Sequence, residues 1–109
     1  MPELRKKPTL KNYSTYVKEL EAERGFIDQT ARDKCLLLGE EVGELFKAVR
    51  KAEGYKIDDN SEFHPIAEEL VDILIYLFSI ANRYEVDLES EFRKKKELNK
   101  KRIWHTAPN

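Results

Sequence analysis

The chain has 109 residues, of which 40% are hydrophobic and 38% charged, with only 4 Gly and 4 Pro. This length fits one domain, taken here as residues 1–109, and the composition favours helices over a turn-rich β structure. The net charge of −1 excludes a general electrostatic bias toward nucleic acid or membranes, and a lone cysteine, Cys35, excludes an internal disulfide.

Capping residues mark the first two predicted helices. The first is expected from Leu10 to Arg24, with Thr9 as its N-cap and Gly25 as its stop. The second is expected over about residues 29–53, after Asp28 as its N-cap. Its apolar residues form a stripe that we expect to face the core, which would bury the cysteine and make it a poor nucleophile: Cys35, Leu38, Val42, Leu45, Phe46 and Val49.

A polar loop over residues 54–64 leads to the third helix, predicted for about 65–84, with Pro65 at its start and His64 as a capping element. This helix is apolar nearly all round, which is typical of a helix inside a bundle. The fourth helix is expected over about 87–101. A chain this small is too short to cover the third helix alone, so we expect a homodimer or homotetramer to complete the four-helix-type bundle.

Four carboxylates carry the most specific chemical signal. They form two pairs at i,i+3, one pair on the second helix and one on the third: Glu41 with Glu44, and Glu69 with Asp72. If these helices pack antiparallel, the four groups converge and repel one another. An all-oxygen site of this kind suits Mg²⁺, with Mn²⁺ possible, whereas zinc would require His or Cys. The alternative is that each pair is a solvated helix face.

The segments GEEVGEL (39–45), AEELVDILIYL (67–77) and KKELNKKRIW (95–104) occur in this order. Together they resemble the EExxE…ExxD pattern and the downstream basic motif of the MazG-like, all-α nucleotide pyrophosphohydrolases. AERGF (22–26) resembles the dCTP pyrophosphatase branch of that family.

The resemblance implies a role for each matched residue. Magnesium would be held by Glu41, Glu44, Glu69 and Asp72. The attacking water would be oriented by Glu40 or Glu41. The nucleotide would be contacted by two aromatic residues, Phe26 and Tyr76. Its phosphates would be bound by three residues that share one face of the fourth helix: Lys95, Asn99 and Arg102.

The function implied is magnesium-dependent hydrolysis of nucleoside triphosphates to monophosphate and pyrophosphate, serving nucleotide-pool sanitation in the cytoplasm. Sibling activities on dUTP or phosphoribosyl-ATP are the first alternative. The second is a non-enzymatic helical module that binds nucleic acid or another protein through the basic run 93–102. For the enzyme we expect no nucleic-acid partner and no membrane segment, and we expect Trp104 and His105 to pack on a neighbouring subunit.

Overall fold

The computed structural model describes residues 1–103, and every regular element in that range is helical. The all-α prediction is therefore confirmed. None of the described helices has the length and apolar character needed to cross a membrane. The predicted packing of Trp104 and His105 lies outside the described residues. The elements are α1 (Leu10–Arg24), a short 3-10 turn (Phe26–Asp28), α2 (Ala31–Ala52), α3 (Ile66–Arg83) and α4 (Leu88–Lys100).

Local capping determines where the first two helices begin and end. Thr9 caps α1 as predicted, and Gly25 ends it with a φ of 75°, a left-handed conformation that glycine adopts without steric cost. The predicted N-cap of α2 was wrong, because Asp28 lies in the 3-10 turn. Thr30 caps α2 instead: its hydroxyl accepts the Asp33 N–H, and the Asp33 carboxylate accepts the Thr30 N–H.

Helices α2 and α3 form an antiparallel pair at the centre of the fold. Lys34, near the start of α2, faces Tyr76 in the second half of α3. The opposite end of α2 brings Ala48 beside Ile66, the first residue of α3. Helix α1 packs on the later part of α3, where the Tyr13 ring stacks on Phe78 at a centroid distance of 6.1 Å, and α4 contacts α1. The antiparallel arrangement is the one required for the two carboxylate pairs to meet.

The predicted core stripe of α2 was wrong in part: Leu38, Val42 and Leu45 are half-buried, whereas the other members are exposed. Cys35 is exposed, and Phe46 and Val49 are 63% and 40% exposed. The face turned toward α1 and α3 carries Lys34 and Ala48, which are both buried. This orientation of α2 is possible because Glu21 on α1 and the Tyr76 ring on α3 lie close to the buried Lys34 ammonium group.

Much of the apolar surface of α3 stays uncovered within one chain. Leu70, Leu74 and Leu77 follow one face of the helix at i, i+4 and i+7 and are 52%, 42% and 43% exposed. The radius of gyration is 17.4 Å, against about 13 Å for a compact chain of this length. An uncovered apolar stripe on a helix of this kind is typical of a surface that packs against another protein.

Candidate metal and nucleotide site

Three carboxylates from α2 and α3 converge at the centre of the antiparallel pair. Glu41, Glu69 and Asp72 each place one oxygen within 4.8 Å of the others. Glu69 is only 2% exposed, and its Oε2 atom is buried without a hydrogen-bond partner among the described residues. A buried carboxylate oxygen without a donor is costly unless a cation neutralises it. The donor set, three carboxylates and no nitrogen or sulfur, fits a hard divalent cation such as Mg²⁺.

The Glu41 carboxyl group shows the electrostatic cost of this arrangement. Its pKa is raised to about 7, first by burial, then by the hydrogen bond with Glu69 and by the negative charges of Asp72, Glu69 and Glu44. Without a cation, the cluster therefore holds a proton near neutral pH. A divalent cation placed among the same oxygens would remove the repulsion and displace that proton.

The cluster opens on one side into an acidic cleft of about 840 Å³. Glu44 lies in this cleft, where its carboxylate is 3.6 Å from the Lys47 ammonium. Glu40 and His64 also line the cleft, and the His64 ring lies 3.7 Å from the Glu68 carboxylate. The volume is within the range of ligand pockets, about 300–1,000 Å³, so the cleft has room for a polyphosphate chain beside the carboxylates.

On its other side the cluster borders a smaller cavity of about 260 Å³ with largely apolar walls. Glu41 and Asp72 line both spaces, so the carboxylates stand at the boundary between them. Phe26 and Tyr76 contribute aromatic walls to this second space, which we call the aromatic cavity. The pKa of Tyr76 is raised, first by burial and then by the charges of Glu41, Asp72 and Glu40.

A buried charge network forms one end of the aromatic cavity. Arg83 donates two hydrogen bonds to the Glu21 carboxylate, at 3.2 and 2.6 Å. Burial alone would raise the pKa of Glu21, but hydrogen bonds from Arg83 and Ser79 and the charges of Arg83 and Lys34 hold that pKa below its usual value. Arg83 also donates to the backbone carbonyls of Phe26 and Gln29. The network thus anchors the 3-10 turn that carries Phe26.

The structure brings together most of the site residues named from the sequence. Glu41, Glu69 and Asp72 share the cluster, and Glu40 and Glu44 lie in the adjoining acidic cleft. The aromatic pair lies in the other cavity. Lys95 and Asn99 are on the exposed helix α4, and neither lines either space. Arg102 lies beyond Lys100, the last residue of α4, so the prediction that it shares a helical face with the other two was wrong, and it also lines neither space.

Sequence reasoning missed the buried charges Glu21, Lys34 and Arg83. Lys34 lies two helical turns before Glu41, which puts both residues on one face of α2. That spacing was the available signal, but a lysine near the start of a charged helix is more often a solvated residue. Only the packing of α1 and α3 against this face reveals its burial.

A helical protein with carboxylates from two antiparallel helices converging beside two cavities belongs to the class of all-α proteins with a candidate divalent-cation site. Comparison with known proteins identifies the family within this class. The family model described as the MazG nucleotide pyrophosphohydrolase domain matches residues 29–105.

Two crystal structures of iMazG from Vibrio DAT 722 are similar to the chain, one titled Ctag-iMazG and the other Ntag-iMazG. Each is 30% identical with a TM-score of 0.64; the alignments cover 84% of this chain and 98% and 94% of the respective iMazG chains. No curated protein sequence gives a significant match. The chain belongs to the MazG nucleotide pyrophosphohydrolase family, and the activity that its family supports is pyrophosphohydrolysis of nucleoside triphosphates.

Proposed function

We propose that this protein is a Mg²⁺-dependent enzyme that hydrolyses (deoxy)nucleoside triphosphates to the monophosphate and pyrophosphate. The observation that carries the proposal is the convergence of Glu41, Glu69 and Asp72 around a buried carboxylate oxygen that lacks a hydrogen-bond donor. Glu44, at the edge of the same cleft, is the fourth proposed ligand. Mn²⁺ prefers similar oxygen ligands and is the expected substitute.

The two spaces beside the cluster suit the two ends of such a substrate. The triphosphate lies along the acidic cleft, and the nucleoside enters the aromatic cavity between Phe26 and Tyr76. Mg²⁺, when bound, supplies a Lewis acid that offsets the charge of the phosphate oxygens. Lys47 and His64 are the basic side chains that line the described part of the cleft, and we assign them to contact the departing pyrophosphate.

Hydrolysis at the α-phosphorus requires an oriented water molecule. Glu40 and Glu41 both line the cleft, and we assign one of them to orient that water and accept its proton. The water oxygen forms a bond to the α-phosphorus while the bond from that phosphorus to the bridging oxygen of pyrophosphate breaks. The bonding electrons leave with pyrophosphate, so the products are a nucleoside monophosphate and pyrophosphate.

Assembly of subunits is part of the proposal. The exposed stripe of Leu70, Leu74 and Leu77 and the large radius of gyration support a homodimer or homotetramer in which another copy covers α3. The residues of the basic motif, on α4 and just beyond its end, line neither space beside the carboxylates of their own chain. We therefore place the phosphate contacts of Lys95, Asn99 and Arg102 in the assembled protein.

The substrate preference that we propose is a deoxycytidine-type triphosphate, on the strength of the AERGF motif that ends in Phe26. The sibling substrates, dUTP and phosphoribosyl-ATP, are therefore included in the test. Hydrolysis of such nucleotides would serve to control or sanitise the cytoplasmic nucleotide pool.

The test is a pyrophosphate-release assay on a panel of common and modified nucleoside triphosphates, with and without Mg²⁺. We expect turnover only with the cation, and a loss of about 100-fold or more in Glu41→Gln and Asp72→Asn. Glu53→Gln is the matched control, because Glu53 is an exposed carboxylate outside both cavities. Full activity in both site variants would refute the assignment of Glu41 and Asp72 as metal ligands. Absence of turnover on the whole panel would refute the proposed enzymatic activity.

A further inference from the structure

The Lys34 side chain occupies an unusual position for an ammonium group. It is 5% exposed as a residue, and it lines the aromatic cavity rather than the protein surface. Its nitrogen lies 5.1 Å from the centre of the Phe26 ring and 5.7 Å from that of Tyr76. Two aromatic faces and the walls of the cavity thus hold a positive charge in a desolvated place.

The hydrogen-bonding capacity of this ammonium group is not used by the protein. An ammonium group offers three donors. The nearest carboxylate oxygen, Glu21 Oε2, is 3.8 Å away, which is an ion-pair distance but too long for a hydrogen bond, and Lys34 donates no hydrogen bond to any residue of the described chain. Glu21 already receives two hydrogen bonds from Arg83. A desolvated cation with unused donors that face a cavity is poised to bind an acceptor on a ligand.

The position of the cavity defines what that acceptor is. Glu41 and Asp72 form its border with the carboxylate cluster, so a nucleotide whose phosphates reach the cation there extends its base toward Lys34. The walls are mainly apolar and aromatic, which suits a planar base and disfavours a second phosphate. At the far end, Lys34 and Glu21 line the cavity, and the Glu21 carboxylate is already bound by Arg83. Because Arg83 already donates to that carboxylate, the Lys34 ammonium group keeps donors that a carbonyl oxygen of the base can accept.

We infer that Lys34 is a specificity-determining residue that binds a carbonyl oxygen of the nucleobase and selects keto bases over adenine. This inference rests on the proposed function, since it takes the aromatic cavity as the nucleoside site. Cytosine, uracil, thymine and guanine each carry a ring carbonyl, whereas adenine carries none. Lys34 thereby recognises the base, whereas a cation held by the carboxylate cluster would contact the phosphates of every nucleotide alike.

The first experiment measures binding and requires no turnover. Isothermal titration of the wild-type protein with dCMP, dTMP, dGMP and dAMP in Mg²⁺ should give the three keto nucleotides at least about tenfold tighter binding than dAMP, as expected for one hydrogen bond from a charged donor. This comparison uses no variant, so it holds even if a substitution at Lys34 prevents folding. Equal affinity for all four nucleotides would overturn the inference.

The second experiment removes the ammonium group but keeps the length and apolar stem of the side chain. In Lys34→Met, binding and kcat/KM for the keto nucleotides should fall by about 10- to 100-fold, while dAMP and dATP change by no more than about twofold. Lys51→Met is the matched control, since its ammonium group also lies over an aromatic ring, that of Phe63 at 4.9 Å, but outside the aromatic cavity.

The outcomes separate this inference from the proposed function. An equal loss for all bases, accompanied by a lower Tm, would show that Lys34 only supports the fold and would overturn the inference. Mg²⁺-dependent hydrolysis with no base-dependent effect of Lys34→Met would overturn the inference and leave the proposed function standing. If the wild-type protein neither binds nor hydrolyses any of these nucleotides, the proposed function itself is wrong.

Discussion

Cation binding at the carboxylate cluster should release a proton, in an amount set by the raised pKa of Glu41. That pKa is about 7, because burial, the hydrogen bond with Glu69 and the neighbouring charges of Asp72 and Glu44 disfavour the ionised form. Glu41 then carries a proton in about nine of ten molecules at about pH 6 and in about one of ten at about pH 8. A carboxyl group with an ordinary pKa would be ionised at both values.

The consequence for magnesium is a strong dependence of affinity on pH. Since the cation binds the ionised carboxylate, we expect release of about 0.9 proton per site at about pH 6 and about 0.1 at about pH 8. The apparent affinity should be about tenfold weaker at the lower pH, which is the ratio of the ionised fractions. Isothermal titration of Mg²⁺ in two buffers of different ionisation enthalpy measures both quantities.

The sign of the stability effect follows from the same pKa. A folded-state pKa raised above the unfolded value means that protonation stabilises the fold below about pH 4.5 and that this contribution is lost as the pH rises through about 7. Because Glu41 is partly exposed, the loss in the metal-free protein is at most about 3 kcal/mol. Thermal unfolding should show a Tm that falls between about pH 5 and pH 8 without Mg²⁺ and recovers with it.

Two variants make this prediction decisive. Glu41→Gln should release no proton on adding Mg²⁺, bind the cation more weakly, and be more stable than the wild type when metal-free at about pH 8, because one repelling charge is gone. Glu53→Gln should behave as the wild type. Equal proton release at the two pH values in the wild-type protein would refute the reasoning, since it would mean that Glu41 is not protonated near neutrality.

Three further predictions address the surrounding structure. Arg83→Lys should lower the free energy of unfolding by about 2–4 kcal/mol in chemical denaturation, because a lysine cannot reproduce the paired hydrogen bonds to Glu21; a change within about 0.5 kcal/mol would contradict the network. Glu21→Gln should lessen the loss of stability on acidification, because the depressed pKa of Glu21 contributes stability above its unfolded pKa that disappears as the pH falls through the folded value; identical acid unfolding curves would argue against it. Leu70→Glu should dissociate the assembled protein in analytical ultracentrifugation, whereas Tyr55→Glu, at a more exposed position in a loop, should leave it intact; a wild-type protein that sediments as a monomer would refute the proposed assembly.

Helix positions were accessible from sequence because their determinants are local. Thr9 and Gly25 delimit α1 through hydrogen bonds and a backbone conformation that involve only nearby residues. The start of α2 was misplaced because Asp28 and Thr30 are both residue types that cap helices, and the pairing of Thr30 with Asp33 decided the outcome. The apolar character of α3 likewise indicated a helix that packs against other helices. Within one chain, however, those helices leave part of its apolar surface exposed.

The rotation of α2 was not accessible from sequence. Its apolar stripe predicted a buried Cys35, yet the helix turns Lys34 inward and leaves Cys35 exposed. A hydrophobic pattern identifies an apolar face but does not say whether that face meets the same chain or another copy. The buried lysine is tolerated because Glu21 on α1, the Phe26 ring of the 3-10 turn and the Tyr76 ring of α3 surround it.

By itself, the sequence determined the helical class, the helix boundaries to within a few residues and the two carboxylate pairs, because capping, periodicity and i,i+3 spacing act within a single helix. Tertiary structure decided which carboxylates converge in one cluster and which charges are buried, since both depend on how α1, α2 and α3 pack. Burial raises the pKa of the Glu41 carboxyl group. The packing of the helices also removes water from around the Lys34 ammonium group, which lines the aromatic cavity. Both effects arise from removing water around a charge, and that happens only when the helices come together.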